Sequence, residues 1–249
     1  MVEKSRRFLR TEALLGEAGM QKLQRAEVMI IGLGAVGGYC VEALARAGIG
    51  RLTLVDFDTV DESNINRQIL ALTSTVGEKK TELARRRVLD INPDCRVTVK
   101  DMFVNGETLP QLFETTPDYV IDAIDALNPK CCLIEELCRR GIPFVSSMGA
   151  ALKSDASCIK YGRLSATRNC ALAKFIRKRL KKRGLDLGKI YCVSSDEQVN
   201  LPETAVFMED NPGQESGRQR HTLGSLPTIT AIFGLTIANA VIKSIVSKE

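Results

Sequence analysis

The sequence predicts an α/β protein with a doubly wound, mostly parallel sheet of the Rossmann-like type. Short apolar runs alternate along the chain with segments of helical periodicity. The apolar runs show no polar alternation, which is typical of strands covered on both faces. A glycine turn, Gly32–Gly37, joins the first of these strands to the first of these helices. Reactive polar residues follow the ends of the apolar runs, which is where such sheets bind ligands. The 249 residues, 44% of them hydrophobic, are enough for one domain of this class.

The first 150 residues supply five strands of this sheet. A helical lead-in over residues 1–25 comes first, and Gly48 and Gly141 end two of the later helices. The predicted strands are Val28–Ile31, Leu52–Val55, Val97–Val99, Tyr119–Ile121 and Phe144–Val145. The predicted helices between them cover 36–47, 63–72, 78–91, 109–114 and 129–140.

After residue 150 the regular alternation of predicted strands and helices stops, and we expect a smaller C-terminal extension of short strands and helices. Strands at 159–161 and 190–193 flank a basic helix at 171–183, which Gly184 ends. The polar residues 194–226 indicate a long mobile loop. The extension therefore differs from the regular first part of the chain.

Neither a membrane segment nor a metal framework is expected. The apolar stretch 228–246 contains Asn239 and Lys243, which favours a buried or interface helix over a membrane span. The charged start, Met1–Arg10, lacks the apolar core of a signal peptide. The eight cysteines have no C-x-x-C spacing and the only histidine is His221, which argues against a structural zinc site. A reducing cytoplasm is the favoured location.

Positive charge is concentrated in one segment. The chain has 35 Lys and Arg against 30 Asp and Glu, a net charge of +5. The segment Lys174–Arg183 holds seven cations in ten residues. Such a run favours a polyanionic partner, although a solvated helix face is its more frequent meaning.

The glycine turn suits a ligand that contains phosphate. Gly32 permits the tight turn, Gly34 lets the backbone approach a phosphate, and Gly37 lets the helix pack on its strand. The helix N-terminus offers free N–H groups and a partial positive charge. Asp56 ends the second strand, where a carboxylate can bind both ribose hydroxyls. These residues alone fit NAD as well as ATP.

Arg67 and Lys80 favour ATP and an adenylation reaction. A carboxylate that attacks the α-phosphate approaches negative charge, and the departing pyrophosphate carries more of it. Arg provides a planar fork for phosphates and Lys a compact charge. An oxidoreductase needs no two fixed cations there. A plain surface cation is the alternative for either residue.

Asp125 is the predicted Mg²⁺ ligand. Mg²⁺ prefers one or two carboxylates together with phosphate oxygens and water. Asp122 can orient this site from behind the ligand. The alternative for either carboxylate is a cap on the helix that follows.

Three further residues are weighed as functional candidates. Arg10, with Arg7, either belongs to a disordered basic lead or reaches the active site of a neighbouring subunit. Cys170 is a candidate nucleophile, because Asn169 resembles an N-cap and a helix N-terminus with flanking cations lowers the pKa of a thiol. A small buried apolar residue is an equally good interpretation of Cys170. His221 is interpreted as a bystander rather than a base.

At these residues the chain resembles the ubiquitin-activating-enzyme-like superfamily of ThiF-type enzymes, which adenylate carboxylates. The superfamily pattern G-x-G-x-x-G, D-x-D, N-x-x-R-Q, K and D-x-x-D is met in order by Gly32/Gly34/Gly37, Asp56/Asp58, Asn64/Arg67/Gln68, Lys80 and Asp122/Asp125. The resemblance implies one adenylating domain over 1–249, with a nucleotide-binding core at 6–150 and a substrate and dimerisation extension at 151–249.

The same resemblance implies roles for the pattern residues. Asp56 would bind the ribose, Arg67 and Lys80 the phosphates, and Asp125 the Mg²⁺. Asp58, Asn64 and Asp122 would complete the ATP site. Arg10 would be donated by the other protomer of a homodimer.

Within the superfamily, the chain is most similar to the branch of tRNA threonylcarbamoyladenosine dehydratases. The likeness includes the opening Arg7, Phe8 and Thr11, the segment 120–125, and Gly224 with Ser225 before the last apolar stretch. It implies adenylation of the threonylcarbamoyl carboxylate in tRNA, followed by ring closure with net loss of water. The implied tRNA-binding residues are Lys174, Arg177, Lys178, Lys181 and Lys182.

Two alternatives stay open. A second branch adenylates the C-terminal glycine of a small ubiquitin-like sulfur-carrier protein, and a sulfur-transfer or cysteine desulfurase protein would then be an accessory partner. Cys170 would receive sulfur or an acyl group in that case. The bacterial members of this branch usually carry two C-x-x-C zinc pairs, which this chain lacks. The other alternative is an NAD-sensing or redox protein that uses the same glycine turn.

Overall fold

The structure is a computed structural model that describes residues 6–199, 206–208 and 221–247. Seven strands form one sheet: β1 Glu27–Ile31, β2 Arg51–Asp56, β3 Arg96–Asp101, β4 Tyr119–Asp122, β5 Phe144–Ser147, β6 Ile159–Arg163 and β7 Tyr191–Ser195. Their order is β3-β2-β1-β4-β5-β7-β6. Neighbours pair in parallel except at the β6 edge, which is antiparallel to β7. A separate antiparallel hairpin joins β8 Val206–Met208 to β9 His221–Leu223.

Helices cover both faces of the sheet, as the sequence predicts for a doubly wound fold. They are α1 Leu9–Arg25, α2 Gly37–Ala47, α3 Lys80–Ile91, α4 Leu109–Leu112, α5 Leu127–Arg140, α6 Ala171–Lys182 and α7 Pro227–Ser247. Residues of α1, α2, α3 and α7 share one apolar core, and residues of α4, α5 and α6 contribute to two cores on the other side. The central strand shows why its sequence has no alternation: Val28 and Ile30 face the first core, whereas Met29 and Ile31 face the second.

The strand order creates a crevice between β1 and β4. The chain proceeds from β1 to β2 and β3 in one direction, and from β4 to β5 in the other. The carboxyl ends of these parallel strands meet at one edge of the sheet, which we call the carboxyl edge. Segments that follow β1, β2 and β4 therefore meet where doubly wound sheets bind ligands.

The predicted helix at 63–72 is wrong. The chain forms a short 3₁₀ turn at Glu62–Asn64 and continues in irregular turns. The Asp61 carboxylate accepts a hydrogen bond from the Ser63 N–H, and Asn64 Oδ1 accepts one from the Asp61 N–H. Side chains of this type compete with helical hydrogen bonds and favour a local turn.

The predicted loop at 194–226 is only partly correct. Strand β7 extends to Ser195, and the short strands of the β8–β9 hairpin lie within this range. Residues 200–205 and 209–220 lie outside the described residues. The last helix, α7, was predicted as a buried or interface helix, and this is confirmed.

Helix α7 alone, among the described helices, is long and apolar enough to cross a membrane by length and composition. In the structure its residues Ile229, Phe233, Ile237 and Val241 are fully buried in the core shared with α2. A Cβ on Gly234 would lie 2.4 Å from the carbonyl oxygen of Val36, so a glycine there permits the close packing of the two helices. Helix α7 is thus a core helix that supports the N-terminal end of α2.

Candidate active site

The glycine turn lies at the carboxyl edge, directly after β1. The Gly32 N–H donates to the carbonyl of Val55 at 2.9 Å, which holds the turn against β2. Gly32 has a φ of +90°, and a Cβ there would lie 2.8 Å from the carbonyl oxygen of Ala123. A Cβ on Gly37 would lie 1.8 Å from the Gly32 oxygen. Both positions therefore require glycine for the turn itself.

Gly34 differs from these two, because its surroundings are open. A Cβ there would lie 3.7 Å from Gln68 Nε2, an ordinary contact distance. No side chain caps the N-terminus of α2, which leaves backbone N–H groups and the positive end of the helix dipole next to Gly34. The place is suited to an anion such as a phosphate.

Asp56 connects β2 to the glycine turn. Its Oδ2 accepts a hydrogen bond from the Leu33 N–H at 2.6 Å, and its Oδ1 accepts one from the Asp58 N–H at 2.9 Å. Burial raises the pKa of Asp56 above its usual value, although the two N–H donors and Lys80 oppose this shift. Each carboxylate oxygen keeps a lone pair, so both can still accept hydrogen bonds from ribose hydroxyls.

Lys80 begins α3 and is held almost out of solvent. Its side chain is buried, with 4% of the residue exposed, and its Nζ lies 3.0 Å from Asp58 Oδ2. The backbone N–H of Lys80 also donates to the Asp58 carbonyl at 3.1 Å. These bonds fix the Lys80 ammonium group beside Asp58, which lies two residues after Asp56 and next to the expected ribose position.

Arg67 and Gln68 belong to the segment that passes beside the glycine turn. Arg67 Nη1 donates to the Ser63 carbonyl at 2.8 Å and to Asn66 Oδ1 at 2.7 Å. The guanidinium has five N–H donors, so others stay available for phosphate oxygens. Gln68 is buried against Gly34, and its Oε1 has no hydrogen-bond partner among the described residues. A buried polar atom of this kind marks a place for a ligand or water.

Asn64 has a local role in the structure. Its Oδ1 accepts the Asp61 N–H at 3.3 Å, and its carbonyl accepts the N–H groups of Arg67 and Gln68. The residue thus shapes the turn that carries Arg67. The sequence-based expectation of a direct contact between Asn64 and ATP finds no support in these bonds.

Asp122 is enclosed within the protein, which suits the predicted role of orienting the site from behind the ligand and not the direct contact with ATP that the resemblance implies. The side chains of Asp122 and Lys130 are both 0% exposed, and Lys130 Nζ lies 2.7 Å from Asp122 Oδ2. Ser146 Oγ donates to the same Oδ2 at 2.6 Å, and the Ile124 N–H donates to Asp122 Oδ1 at 3.1 Å. Both carboxylate oxygens are therefore engaged inside the protein. Asp122 positions the 122–125 turn instead of contacting a ligand.

Asp125 ends this turn and is exposed. Within the described part of the chain, no hydrogen bond or ion pair engages its carboxylate. Its neighbour Ile124 has its backbone nitrogen 3.3 Å from the Cβ position of Gly32, so the turn adjoins the glycine turn. The structure therefore brings Asp125 to the crevice with its oxygens unoccupied.

This donor set fits Mg²⁺ that arrives with a nucleotide. In the described residues, no group of three or more His, Cys, Asp or Glu side chains could hold a metal by itself. One free carboxylate beside a phosphate site is the arrangement in which Mg²⁺ is bound through carboxylate, phosphate and water. Asp125 is the carboxylate of the crevice that meets this description.

Arg10 lies far from the glycine turn of its own chain. Its neighbour Phe8 has ring atoms 3.4 Å from the Cβ position of Gly48, which ends α2, and Arg7 Nη1 donates to the carbonyl of Ile91 at the end of α3. These helix ends lie at the edge of the sheet opposite the carboxyl edge. Arg10 is exposed there, and its predicted contact with the active site of a second protomer stays a prediction.

Cys170 is buried rather than poised at the surface. It is the N-cap of α6 itself, and its Sγ accepts a hydrogen bond from the Ala173 N–H at 3.4 Å. Asn169, which the sequence predicts as the N-cap, precedes it with a left-handed φ of +50°. Only 7% of Cys170 is exposed, in an apolar cluster with Ile176 and Leu180. This environment fits the apolar interpretation of the residue better than the nucleophilic one.

The cations of α6 fall into two groups. The arginines bind the protein: Arg177 donates to Thr167, Arg179 to Asn128 and Arg183 to Glu135. The lysines 174, 178, 181 and 182 are exposed, and none has a side-chain partner in the described part of the chain. Arg177 fastens the helix to Thr167 through Nη1 alone, and its other N–H donors stay available, so its predicted contact with tRNA stays a prediction.

Lys153 fixes the start of α6 relative to the carboxyl edge. This buried side chain follows β5 and donates to the carbonyls of Asn169, at 2.9 Å, and Glu197. Asn169 Nδ2 in turn donates to the Asp196 carbonyl at 2.7 Å. The segments after β5 and β7 and the entry to α6 are thus joined by one network.

Sequence reasoning missed Lys130, Lys153 and the role of Gln68. A signal for Lys130 exists, since it occupies the helical position that precedes Leu133 and Leu137 on the inward face of α5. A charged residue on an apolar face predicts a buried partner. Lys153 has no such signal, because its partners are backbone carbonyls of distant segments.

The sequence was compared with models of protein families and with known proteins. The model of the ThiF family matches residues 7–249. The tRNA threonylcarbamoyladenosine dehydratase of Bacillus subtilis (strain 168) is 44% identical over 235 residues, which cover 94% of this chain and 92% of that protein.

Two further matches bear on the nucleotide and on the alternatives. The crystal structure of Escherichia coli tRNA N6-threonylcarbamoyladenosine dehydratase in complex with ATP has a TM-score of 0.85 and 36% identity, and the match covers 96% of this chain and 93% of that one. The adenylyltransferase and sulfurtransferase MOCS3 of Drosophila virilis is 36% identical over 152 residues, which cover 59% of this chain and 32% of that protein.

Proposed function

The chain belongs to the ThiF family, and on this premise we propose that it is an ATP-dependent tRNA threonylcarbamoyladenosine dehydratase. The enzyme adenylates the carboxylate of the threonylcarbamoyl group on an adenosine of tRNA, and the modified side chain then closes into a ring. The observation that carries this proposal is the fixed set of Lys80, Arg67 and Asp125 on segments around the open glycine turn, in a chain 44% identical over nearly its whole length to a protein of that name. As one ThiF-type domain, it uses residues 6–150 for the nucleotide and 151–249 for substrate and dimerisation.

In the adenylation step, the protein positions ATP and lowers electrostatic repulsion. The N-terminus of α2 and Gly34 hold phosphate oxygens, and Asp56 accepts hydrogen bonds from the ribose. A carboxylate oxygen of the substrate forms a bond to the α-phosphorus while the bond from that phosphorus to pyrophosphate breaks. Arg67 and Lys80 stabilise the charge that develops on the phosphates. Asp58 holds the Lys80 ammonium in place until phosphates are present.

In the cyclisation step, a nucleophilic atom of the same substrate side chain attacks the activated carbonyl carbon and releases its proton to solvent. The bond from this carbon to AMP breaks, and AMP leaves. Together, the two steps convert ATP and the substrate into AMP, pyrophosphate and a cyclic product that has lost one water molecule. No covalent bond to the protein is required, which agrees with the burial of Cys170.

Asp125 is the proposed Mg²⁺ ligand. A bound Mg²⁺ would supply positive charge to the phosphates and help to orient them. The buried Lys130–Asp122 pair and the bond from the Ile124 N–H to Asp122 fix the backbone turn that carries Asp125.

Docking of the tRNA is assigned to the exposed lysines of α6, namely Lys174, Lys178, Lys181 and Lys182. Lysines contact phosphates without reading sequence, and the affinity of such contacts falls steeply with salt. The arginines of the helix and Lys153 keep this surface fixed with respect to the crevice.

The protein is proposed to act as a cytoplasmic homodimer in which Arg10 of one protomer completes the other active site. In support, Arg10 is exposed beside two apolar side chains of α1, Leu9 and Leu14, of which Leu14 is 83% exposed. A sulfur-transfer or cysteine desulfurase protein is a candidate accessory partner.

Activation of a small sulfur-carrier protein is the second candidate function. The match to an adenylyltransferase and sulfurtransferase favours it, but that match covers only 59% of this chain. Its distinguishing feature would be a receiving thiol. If Cys170→Ala retains turnover on tRNA, an obligatory thioester or persulfide at Cys170 is excluded.

The deciding experiment identifies the acceptor of AMP. Protein, ATP labelled in the α-phosphate, Mg²⁺ and tRNA containing threonylcarbamoyladenosine are incubated, and the tRNA is digested to nucleosides and weighed. We expect the modified nucleoside to become lighter by one water while AMP and pyrophosphate form. Parallel arms contain a small carrier protein with a C-terminal glycine, or NAD in a binding assay. An unchanged nucleoside mass with AMP on the carrier, or NAD bound more tightly than ATP, would overturn the proposal.

A further inference from the structure

Helix α6 exposes one aromatic side chain among its lysines. Phe175 is 53% exposed, whereas Ala173, Ile176 and Leu180 of the same helix are fully buried. The inward face of α6 is thus complete without Phe175. About half of Phe175 therefore faces solvent, beside a helix face whose core contacts are made by other residues.

Phe175 stands within the group of unpaired lysines. Residues three and four apart are neighbours on a helix surface, which places Phe175 beside Lys178 and Lys178 beside Lys174 and Lys182. None of these ammonium groups has a partner among the residues that the structure describes. The surface is therefore positively charged around one exposed ring.

This surface begins at the carboxyl edge. The Cβ position of Gly149, which follows β5, lies 3.5 Å from Cys170 Sγ and 3.6 Å from Leu172 Cβ at the start of α6. Phe175 is five residues beyond Cys170, which corresponds to about 7.5 Å along the helix axis. The ring is thus close to the edge at which the reaction takes place.

We propose that Phe175 stacks on an unpaired base of the tRNA loop while the neighbouring lysines contact the flanking phosphates. This inference rests on the proposed function for the identity of the RNA. An exposed ring within a basic surface is the combination that proteins use for single-stranded nucleic acid, because every base offers a stacking face and every nucleotide a phosphate. Proteins recognise RNA sequence mainly in loops, where unstacked bases reach aromatic side chains.

The chain contains no tryptophan, which permits a direct test of stacking. In the full-length Phe175→Trp protein the indole is the single tryptophan, and its fluorescence is followed during titration with an anticodon stem-loop RNA or with a fully paired RNA of equal length. We expect strong quenching by the stem-loop and weak quenching by the duplex. The matched control is Asp94→Trp, at an exposed position near the edge opposite the carboxyl edge, which we expect to stay unquenched.

A second arm measures the contribution of the ring to binding. Phe175→Ala should weaken binding of tRNA about tenfold and raise the KM for tRNA, whereas Phe175→Tyr should retain both values because the ring is kept. Binding of ATP should be unchanged in both variants. Phe175→Leu separates stacking from simple apolar contact, since a leucine that restores binding would contradict a stacking role.

The outcomes separate this inference from the proposed function. If Phe175→Ala dehydrates tRNA with an unchanged KM, or if the indole is quenched equally by loop and duplex, stacking is wrong and the dehydratase stands. If the stem-loop quenches the indole of Phe175→Trp but the wild type leaves the modified nucleoside intact, the proposed function is wrong. A change of sedimentation upon Phe175→Ala, with RNA binding intact, would assign the ring to a contact between copies of the chain and overturn the inference.

Discussion

The crevice and the surface of α6 both carry many charges, but they hold them in opposite ways. In the crevice, Lys80 and Lys130 are buried and paired with carboxylates. On α6, Lys174 and Lys178 are exposed and have no side-chain partner in the described residues. Charges fixed in advance suit a reaction centre, because they need no reorganisation when charge develops in the substrate. Charges left in water suit the docking of a polyanion, which gains from the release of counterions.

The largest effect is expected from a substitution in the buried ion pair of the crevice. Lys130→Met removes the partner of a fully buried Asp122 and should destabilise the protein by about 3–5 kcal/mol, since an unpaired buried charge is left behind. Urea unfolding measures the change. The double variant Lys130→Met with Asp122→Asn should recover part of the loss, because it leaves no lone charge. A loss below about 1 kcal/mol in the single variant would mean that the pair does not organise the crevice.

Asp125→Ala comes next in size. The variant should retain the fold and lose Mg²⁺-dependent turnover by a factor of about a hundred to a thousand, because several kcal/mol of charge stabilisation depend on the ion. Turnover is measured over a range of Mg²⁺ concentrations. Asp94→Ala, at an exposed aspartate near the opposite edge, is the control and should retain full activity. Normal Mg²⁺ dependence of the Asp125 variant would remove this residue from the metal site.

Arg67→Ala should reduce turnover roughly a hundredfold while ATP affinity changes little, because the contact strengthens as charge moves to the departing phosphates. Separate measurements of the dissociation constant for ATP and of kcat test this division. Arg85, a partly exposed arginine of α3 that pairs with Glu82, provides the control Arg85→Ala. Equal losses in affinity and rate would instead indicate that Arg67 serves ground-state binding.

The smallest expected effect concerns the free charges of α6. Lys178→Ala should weaken tRNA binding by less than tenfold and lower the slope of log affinity against log salt by about one contact, with the rate at saturating tRNA unchanged. Lys189→Ala, an exposed lysine just before β7, should change neither value. A fall in rate at saturation would show that the α6 lysines take part in more than docking.

The order of elements and the location of the crevice were predictable, because they depend on local patterns. Unbroken apolar runs and the glycine turn predict parallel strands covered on both faces, and six of the seven strands of the sheet are parallel neighbours. The incorrect prediction of a helix at 63–72 also has a local cause. The side chains of Asp61 and Asn64 bond to the local backbone there and shape a turn in place of the predicted helix.

The roles of individual charges were less predictable. Asp122 and Asp125 are three residues apart and chemically identical, yet one is enclosed by Lys130 and Ser146 and the other is exposed. Arg177 and Lys178 are adjacent cations, yet one fastens the helix and the other faces water. In each pair the assignment depends on residues distant in sequence.

The sequence by itself determined which chemical groups the protein brings to the ends of its strands: a turn that needs glycine, two cations and four acidic residues in a set order. Tertiary structure alone decided which of these groups are enclosed and which are left to meet a ligand. The reason is physical. Spacing along the chain fixes the element on which a side chain stands, whereas its burial and its partners arise only when separate elements pack together, as β4, α5 and β5 do around the Lys130–Asp122 pair.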